Sequence, residues 1–375
     1  MKTMNWRFTL SAPVFDQEMK EAAIDALEND RYIMGENVVK FEEEYAAYIG
    51  TKYAVSTSSG THALHFALIA VGVRDGVSVL TSTFSFVATA NSIIHAGGTP
   101  LLADINPDSF SISPADAKRR IRNDTKVLLP VHLCGFPADM NEIMALAQEN
   151  NLCVVEDACQ AHGAKYYGKK VGGIGAAGCF SFYPSKNMTV LGDGGMVVSN
   201  SEEIALTVSK LRDAGRKSKY EHDIIGYTAR LNSVNAAVGR IQLKRLDDWN
   251  ARRRKTAEQY MNQLKELDQI KLPCSESTRI DPVYSLFVVR TPLRDALKIW
   301  LEKGGIECGI HYPLPIHLQP AYKKLYDFGS FPFSENLART CLSLPIHQNL
   351  KDDDVRFICE QIKAFFLKQK VNGPA

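Results

Sequence analysis

Lys186 stands in the run Phe180-Ser181-Phe182-Tyr183-Pro184-Ser185-Lys186-Asn187, and the glycine-rich Leu191-Gly192-Asp193-Gly194-Gly195 comes soon after it. Upstream lies Val154-Val155-Glu156-Asp157-Ala158-Cys159-Gln160, an apolar strand pattern ending in acids. Aromatic neighbours favour a desolvated amine, whose pKa falls and whose neutral form attacks an aldehyde. A carboxylate at the end of a buried strand can face a pyridine nitrogen and keep it protonated. Lys186 with Asp157 is therefore what a pyridoxal 5'-phosphate (PLP) site needs, the lysine forming the Schiff base and later shuttling protons. Gln160 is placed to reach the ring oxygen of such a cofactor. A third stretch, Ser56-Thr57-Ser58-Ser59-Gly60-Thr61-His62-Ala63-Leu64, lies between a strand and a helix. Amides at a helix N-terminus hold anions, which makes Gly60 and Thr61 candidate phosphate donors, and the Ser181 hydroxyl, five residues before Lys186, is a further candidate. Each residue taken alone has an ordinary reading: a solvated lysine, an aspartate capping a helix, a serine or threonine cap.

Other chemistries fit less well. Gly173-Ile174-Gly175-Ala176-Ala177-Gly178 matches the dinucleotide fingerprint literally, but Cys179 to Tyr183 after it read as strand and turn, not helix. The two histidines of Gly309-Ile310-His311-Tyr312-Pro313-Leu314-Pro315-Ile316-His317 have no nearby acid and sit on a stiff proline-rich loop, so no metal site is expected. The net charge of +2 gives no reason to expect nucleic acid or a membrane surface. No long apolar run reads as a membrane span, and the first fifteen residues lack a signal-peptide core. Eight cysteines are scattered without CxxC pairs, and Cys153 and Cys179 fall in apolar strands. Reduced thiols and a cytoplasmic location are expected. Arg252-Arg253-Arg254-Lys255 reads as a solvated helix face.

These residues need a scaffold, and the pattern supplies one. At 375 residues and 45% hydrophobic content the chain is long enough for two domains. Met19, Ala22, Ala23, Ala26 and Leu27 fall at helical spacing. Strands are expected at 53–56, 77–81, 100–103, 126–131 and 152–156, with helices at 60–71, 86–95 and 139–150, Asp139 at or near the N-cap of the last. Such alternation predicts an α/β fold with a mainly parallel sheet, whose ligand lies beyond the carboxyl ends of strands. Later, helix is expected at 233–267, loop at 273–277, strand at 283–289, and helix at 293–302 and 352–366. The division is a large domain, 1–245, and a smaller C-terminal α+β domain, 246–375, on which the N-terminal segment also packs.

Together the segments Ser58 to Leu64, Thr83 to Asn91, Pro130 to Met140, Glu156 to Ala164, Ser181 to Asn187 and Gly192 to Gly195 resemble, in order, the DegT/DnrJ/StrS family of PLP-dependent sugar aminotransferases. The resemblance runs from about Pro13 to the C-terminal helix. It implies aminotransferase fold type I, with a mostly parallel seven-stranded sheet and a smaller C-terminal domain. It also implies a homodimer with active sites at the subunit interface. Lys186 then matches the Schiff-base lysine and Asp157 the partner of the pyridinium nitrogen. Gln160 matches the residue at the ring hydroxyl, and Gly60, Thr61 and Ser181 the phosphate ligands. Phe86 matches the aromatic stacked on the ring. Many members read GYNxR where this chain has Gly226-Tyr227-Thr228-Ala229-Arg230. The family asparagine reaches the phosphate from the second subunit. Thr228 keeps a hydroxyl there, and Arg230 holds its place.

The loop from Gly309 to Tyr322 is similar to that of members that aminate C3 of a keto sugar. Its histidines and tyrosines suit a nucleotide sugar, which makes His311, Tyr312 and His317 substrate-contact candidates. Tyr183 and Lys219 also resemble substrate positions of that group, Lys219 facing the diphosphate. The implied reaction is ping-pong transfer from L-glutamate through pyridoxamine phosphate to a dTDP-linked 3-keto-6-deoxyhexose. A 4-keto or a UDP-linked 3-keto substrate is the alternative within the class, and a PLP-binding regulatory or sensor protein is the alternative outside it.

Overall fold

The computed structural model describes residues 6–273, 278–323 and 326–372, the side chains of 370–372 excepted. The chain begins with α1 (Gln17–Asn29) and α2 (Glu36–Ile49). Then β1 (Tyr53–Thr57) leads into α3 (Gly60–Ala70), and β2 (Ser78–Ser82) into α4 (Ala88–His95). β3 (Thr99–Ala103), α5 (Pro114–Arg120), β4 (Thr125–Leu129), α6 (Met140–Glu149) and β5 (Cys153–Asp157) continue the alternation. A short ribbon, β6 (Lys165–Tyr166) and β7 (Lys169–Lys170), precedes β8 (Ala177–Ser181) and β9 (Gly195–Ser199).

The expected sheet forms, with seven strands in the order β1-β9-β8-β5-β4-β2-β3. β3, β2, β4, β5 and β8 pair in parallel, while β9 runs antiparallel to both β8 and β1. Helices on both faces explain why β2 and β9 are buried at every position. The chemistry-bearing residues collect at the carboxyl ends: Asp157 pairs with Cys179 across β5 and β8 and bridges Val131 beyond β4.

Beyond β9 come α7 (Glu202–Arg212) and the long α8 (Ser233–Leu264), whose Asn232 side chain caps the amide of Asn235. Ala236, Leu243 and Leu246 of α8 pack into the core beneath the sheet. Ala257, Tyr260 and Leu264 belong to a second core. That core is built on β11 (Phe287–Arg290) and β12 (Cys341–Leu344), with α9 (Arg294–Lys303), α10 (Pro332–Thr340) and α11 (Asp352–Asn372) around them; β10 (Ile280–Asp281) joins β6 instead. Phe8 joins this core and bridges Ile306. We propose that the two units divide within α8.

Several expectations need correction. The alternation read from sequence omits α2, α5, α7 and α10. The start of α7 was signalled, since Ser201 caps Ile204 and Glu202 and Glu203 fill the first turn. The strand expected at 283–289 begins only at Phe287, because Tyr284 turns the chain at φ 43°. α4 begins at Ala88, leaving Phe86 ahead of the helix. Asp139 sits at the N-cap of α6 but its carboxylate accepts from the Tyr166 hydroxyl at 2.5 Å instead of capping. Residues 274–277 of the expected loop lie outside the described residues.

The basic cluster on α8 is not uniformly solvated. Arg253 is 2% exposed and donates to Ile346 O at 2.9 Å and Tyr284 O at 3.3 Å, tying α8 to the chain on either side of β11 and β12. Burial pulls its pKa down to about 10. Those carbonyls would lose their donor in Arg253→Ala, which is expected to cost roughly 2–4 kcal/mol. The exposed Lys255→Ala should stay within about 0.5 kcal/mol. Chemical denaturation of the two variants measures the contrast.

Candidate active site

The turn that carries Lys186 is pinned from three sides. Phe180 and Phe182 are fully buried against Tyr45, and Phe182 also against Phe41. The Thr189 hydroxyl donates to Phe182 O at 2.8 Å. The Asn187 amide donates to Asn250 Oδ1 at 2.8 Å and Val283 O at 2.9 Å. Lys186 N closes the turn on Tyr183 O at 2.9 Å. The lysine is left half-buried on the wall of a cavity of about 370 Å³. Burial pulls its pKa below the ordinary lysine value, and Cys159, Asp157 and Cys134 partly oppose that shift.

Asp157 faces the same cavity from the end of β5. The Thr89 hydroxyl of α4 donates to its Oδ2 at 2.8 Å, and the Cys159 amide to its Oδ1 at 3.2 Å. Because Thr89 spends its proton on the carboxylate, the Ser85 hydroxyl at 2.8 Å donates to Thr89. Gln160 is fixed by the Cys134 amide, which donates to its Oε1 at 2.8 Å. Its nitrogen then donates to the Tyr312 hydroxyl at 3.1 Å.

The opposite wall is the start of α3. Ser59 caps His62, and Gly60 and Thr61 line the cavity with amides that have no acceptor within the helix. A Cβ on Gly60 would lie 2.5 Å from Ser181 Cβ, so only glycine lets α3 approach β8 this closely. Phe86 is 53% exposed at the rim, its ring 6.0 Å from that of Tyr312. Tyr183, Asp193 and His311 complete the wall.

Ten of the expected residues thus meet on one cavity: Lys186, Asp157, Gly60, Thr61, Phe86, Gln160, Ser181, Tyr183, His311 and Tyr312. Four do not. Lys219 is exposed against Tyr220. Thr228 is exposed and bridges Asp213, and Arg230 pairs with Asp213 at 2.8 Å. His317 is corrected outright. It is fully buried, with Nδ1 2.9 Å from Thr83 Oγ1 and Nε2 3.1 Å from Glu335, so both nitrogens are engaged away from the cavity. Sequence reasoning missed Thr89, Ser85, Cys159 and Asp193.

The glycine run 173–178 also finds its use. The amides of Gly172, Ile174 and Gly175 all donate to the buried Glu156 carboxylate at 2.7 Å. The start of the run, with Gly172 before it, wraps a buried side chain, and β8 takes up its end where a nucleotide-binding loop needs a helix. Among the described residues no group of three or more His, Cys, Asp or Glu is placed to hold a metal ion, and no helix is long and apolar enough to cross a membrane.

Chemically, the cavity offers an amine biased toward its neutral form, a braced carboxylate, a helix N-terminus for an anion and aromatic rims. The lowered lysine pKa has a sign that can be tested. Between the folded value and about 10.4 the unfolded chain holds the proton and the folded chain does not. In cofactor-free protein, the stability of wild type relative to Lys186→Met is therefore expected to rise with pH across that window. Urea melts at several pH values measure it, and a flat difference rules out the shift.

The sequence profile of the DegT/DnrJ/EryC1/StrS aminotransferase family matches residues 13–363. A dTDP-3-amino-3,4,6-trideoxy-alpha-D-glucose transaminase of Streptomyces venezuelae is 41% identical, covering 89% of this chain and 88% of its own. A pleiotropic regulatory protein of Geobacillus stearothermophilus is 40% identical, covering 93% and 94%. The crystal structure of S. venezuelae DesV in complex with a ketimine intermediate superposes with a TM-score of 0.91 at 39% identity, covering 93% of this chain and 94% of that one.

Proposed function

The chain belongs to the DegT/DnrJ/EryC1/StrS aminotransferase family, and from that premise we propose that it aminates a nucleotide-linked 3-keto sugar. The sugar is a dTDP-3-keto-6-deoxyhexose, the product its 3-amino counterpart, the donor L-glutamate and the cofactor PLP. One observation carries the reading: Lys186, Asp157 and the start of α3 face one cavity.

The residues present fit PLP. Its phosphate would be held by the Gly60 and Thr61 amides and the Ser181 hydroxyl, its ring nitrogen by Asp157, its ring oxygen by Gln160, and its ring face by Phe86. When bound, it supplies the sink for electrons released at a substrate carbon. Lys186 would hold the aldehyde end and, once freed from it, would take the proton from the α-carbon of glutamate and return one to C3 of the sugar. Asp157 would keep the ring nitrogen protonated. Tyr312, through Gln160, steadies the oxygen side. Phe86 and Tyr183 cover the mouth and limit water. We read the protein as a cytoplasmic homodimer. Lys219, Thr228 and Arg230 lie away from the cavity of their own chain, and the reading places them beside the cavity of a second copy.

The test begins with the visible absorption of the purified protein loaded with PLP, before and after L-glutamate. Conversion to the pyridoxamine form supports the first half-reaction. The sugar panel comes second: dTDP-linked 3-keto, dTDP-linked 4-keto and UDP-linked 3-keto. Amination of the first alone supports the reading, and preference for either other substrate replaces it. The relative named as a regulatory protein keeps a second reading, a PLP-binding sensor; cofactor binding without response to glutamate would favour it. The phosphate cradle has its own check. In Gly60→Ala the new methyl meets Ser181 and pushes α3 outward. PLP affinity, measured by equilibrium dialysis, is expected to fall roughly ten-fold or more, the loss of about one charge-assisted hydrogen bond.

A further inference from the structure

Ser343 is fully buried on β12, and its Oγ lies 2.9 Å from His311 Nδ1. The two segments are also joined by backbone: Ser343 N donates to Gly309 O at 2.8 Å, and Gly309 N to Ser343 O at 3.1 Å. Among the described residues Ser343 Oγ has no other hydrogen-bond partner. That decides which atom donates. A ring N–H pointing at Oγ would strand the serine proton in the interior, which folded proteins avoid. With the hydroxyl donating, Nδ1 is an acceptor, and the neutral ring carries its proton on Nε2. The ring is neutral because burial, then the nearby Lys186, pulls its pKa down to about 4.

Gly309 sets the direction. A Cβ there would lie 2.5 Å from His311 Cε1 and 3.1 Å from Nδ1, so that edge of the ring rests on the backbone. His311 lines the cavity, and among the described residues its Nε2 makes no hydrogen bond. We propose that Ser343 is a positioning residue that fixes the Nε2–H tautomer of His311, so that the cavity presents a donor there and selects a sugar with an acceptor oxygen at that place. The identity of the ligand rests on the sugar aminotransferase reading. The tautomer does not.

The first arm is ¹⁵N NMR of the full chain labelled at histidine, with and without PLP, the His311 signal being identified by its loss in His311→Gln. The expected signal at neutral pH is that of the Nε2–H tautomer, drifting to a mixture in Ser343→Ala. An Nδ1–H tautomer, an imidazolium, or no change in Ser343→Ala overturns the proposal. The second arm is kinetic. Ser343→Ala is expected to raise the sugar KM roughly ten-fold, about the worth of one hydrogen bond, with kcat falling less than about two-fold. Ser343→Thr should restore the KM. Equal losses in kcat and kcat/KM overturn the substrate-side role. If Ser343→Ala does not fold, His311→Gln, which retains a donor, is compared with His311→Glu, which offers only acceptors; equal sugar KM values overturn it. Should no sugar be aminated, the functional reading fails, and the NMR arm still decides the tautomer.

Discussion

Lys186→Ala is expected to slow amino transfer by at least about 10⁴-fold while the protein stays folded. Two tasks fall on this one amine in the proposed reaction: it holds the cofactor, and it moves a proton at both substrate carbons. Among the described residues neither has a substitute nearby. Asp157 is occupied with Thr89 and the Cys159 amide, and burial drives the Cys159 thiol well above its ordinary pKa, so it offers no thiolate. His311 lines the wall, but with Nδ1 accepting from the Ser343 hydroxyl the proposed tautomer carries its proton on Nε2 and leaves no lone pair there to take one. The cost to the fold should be small or negative, because burial already disfavours the charged amine there. Lys186→Arg separates charge from nucleophilicity. It keeps a cation but cannot release its proton at any working pH, so it should be as inactive as the alanine variant. Steady-state turnover, the visible band of the PLP-loaded protein and the melting temperature are measured together. A Lys186→Ala protein that turns over at more than about one hundredth of the wild-type rate would exclude the lysine as the reacting amine.

What the sequence disclosed depends on how locally each feature is encoded. The turn carrying Lys186, the β5 end carrying Asp157 and the start of α3 are written in contiguous residues, so their types and order were readable. The parallel sheet was readable too, because strands buried on both faces leave continuous apolar runs. His317 and Arg253 misled for one physical reason. Each is a polar residue whose partners lie far along the chain or in another element: Thr83 and Glu335 for one, Tyr284 and Ile346 for the other. A proline-rich loop looks exposed, and an arginine cluster looks solvated, until tertiary contacts bring carbonyls and carboxylates to meet them. Thr89 was missed because its partner Asp157 is brought to it only by the packing of α4 on the sheet. Lys219, Thr228 and Arg230 are a different case. Their assignment came from resemblance alone, and a single chain holds them apart from the cavity.

Asp157→Asn is expected to lower turnover by about 10²–10⁴-fold with little loss of stability, and the pairing of those outcomes tests the role of the carboxylate. The competing explanation is structural. Asp157 accepts from Thr89 and from the Cys159 amide two residues on, which is also what an aspartate shaping a turn does. Asparagine keeps that shape. Its oxygen still accepts from the Cys159 amide, and its nitrogen can donate to Thr89 once that hydroxyl turns. What it cannot supply is negative charge at the ring nitrogen. A turn-forming role thus predicts nearly normal turnover in Asp157→Asn and damage only in Asp157→Ala. There the Thr89 hydroxyl and the Cys159 amide lose their acceptor, at about 1–3 kcal/mol. An electrostatic role predicts that both variants fail at amino transfer, and only the alanine one loses stability as well. Thr89→Val supplies the graded case. It keeps the charge but removes one of two braces, so a loss of roughly ten-fold, about one charge-assisted hydrogen bond, is expected. The ordering Thr89→Val above Asp157→Asn in activity, with Asp157→Asn near wild type in melting temperature, would assign Asp157 to the cofactor. Activity that instead tracks stability across the three variants would return it to the fold.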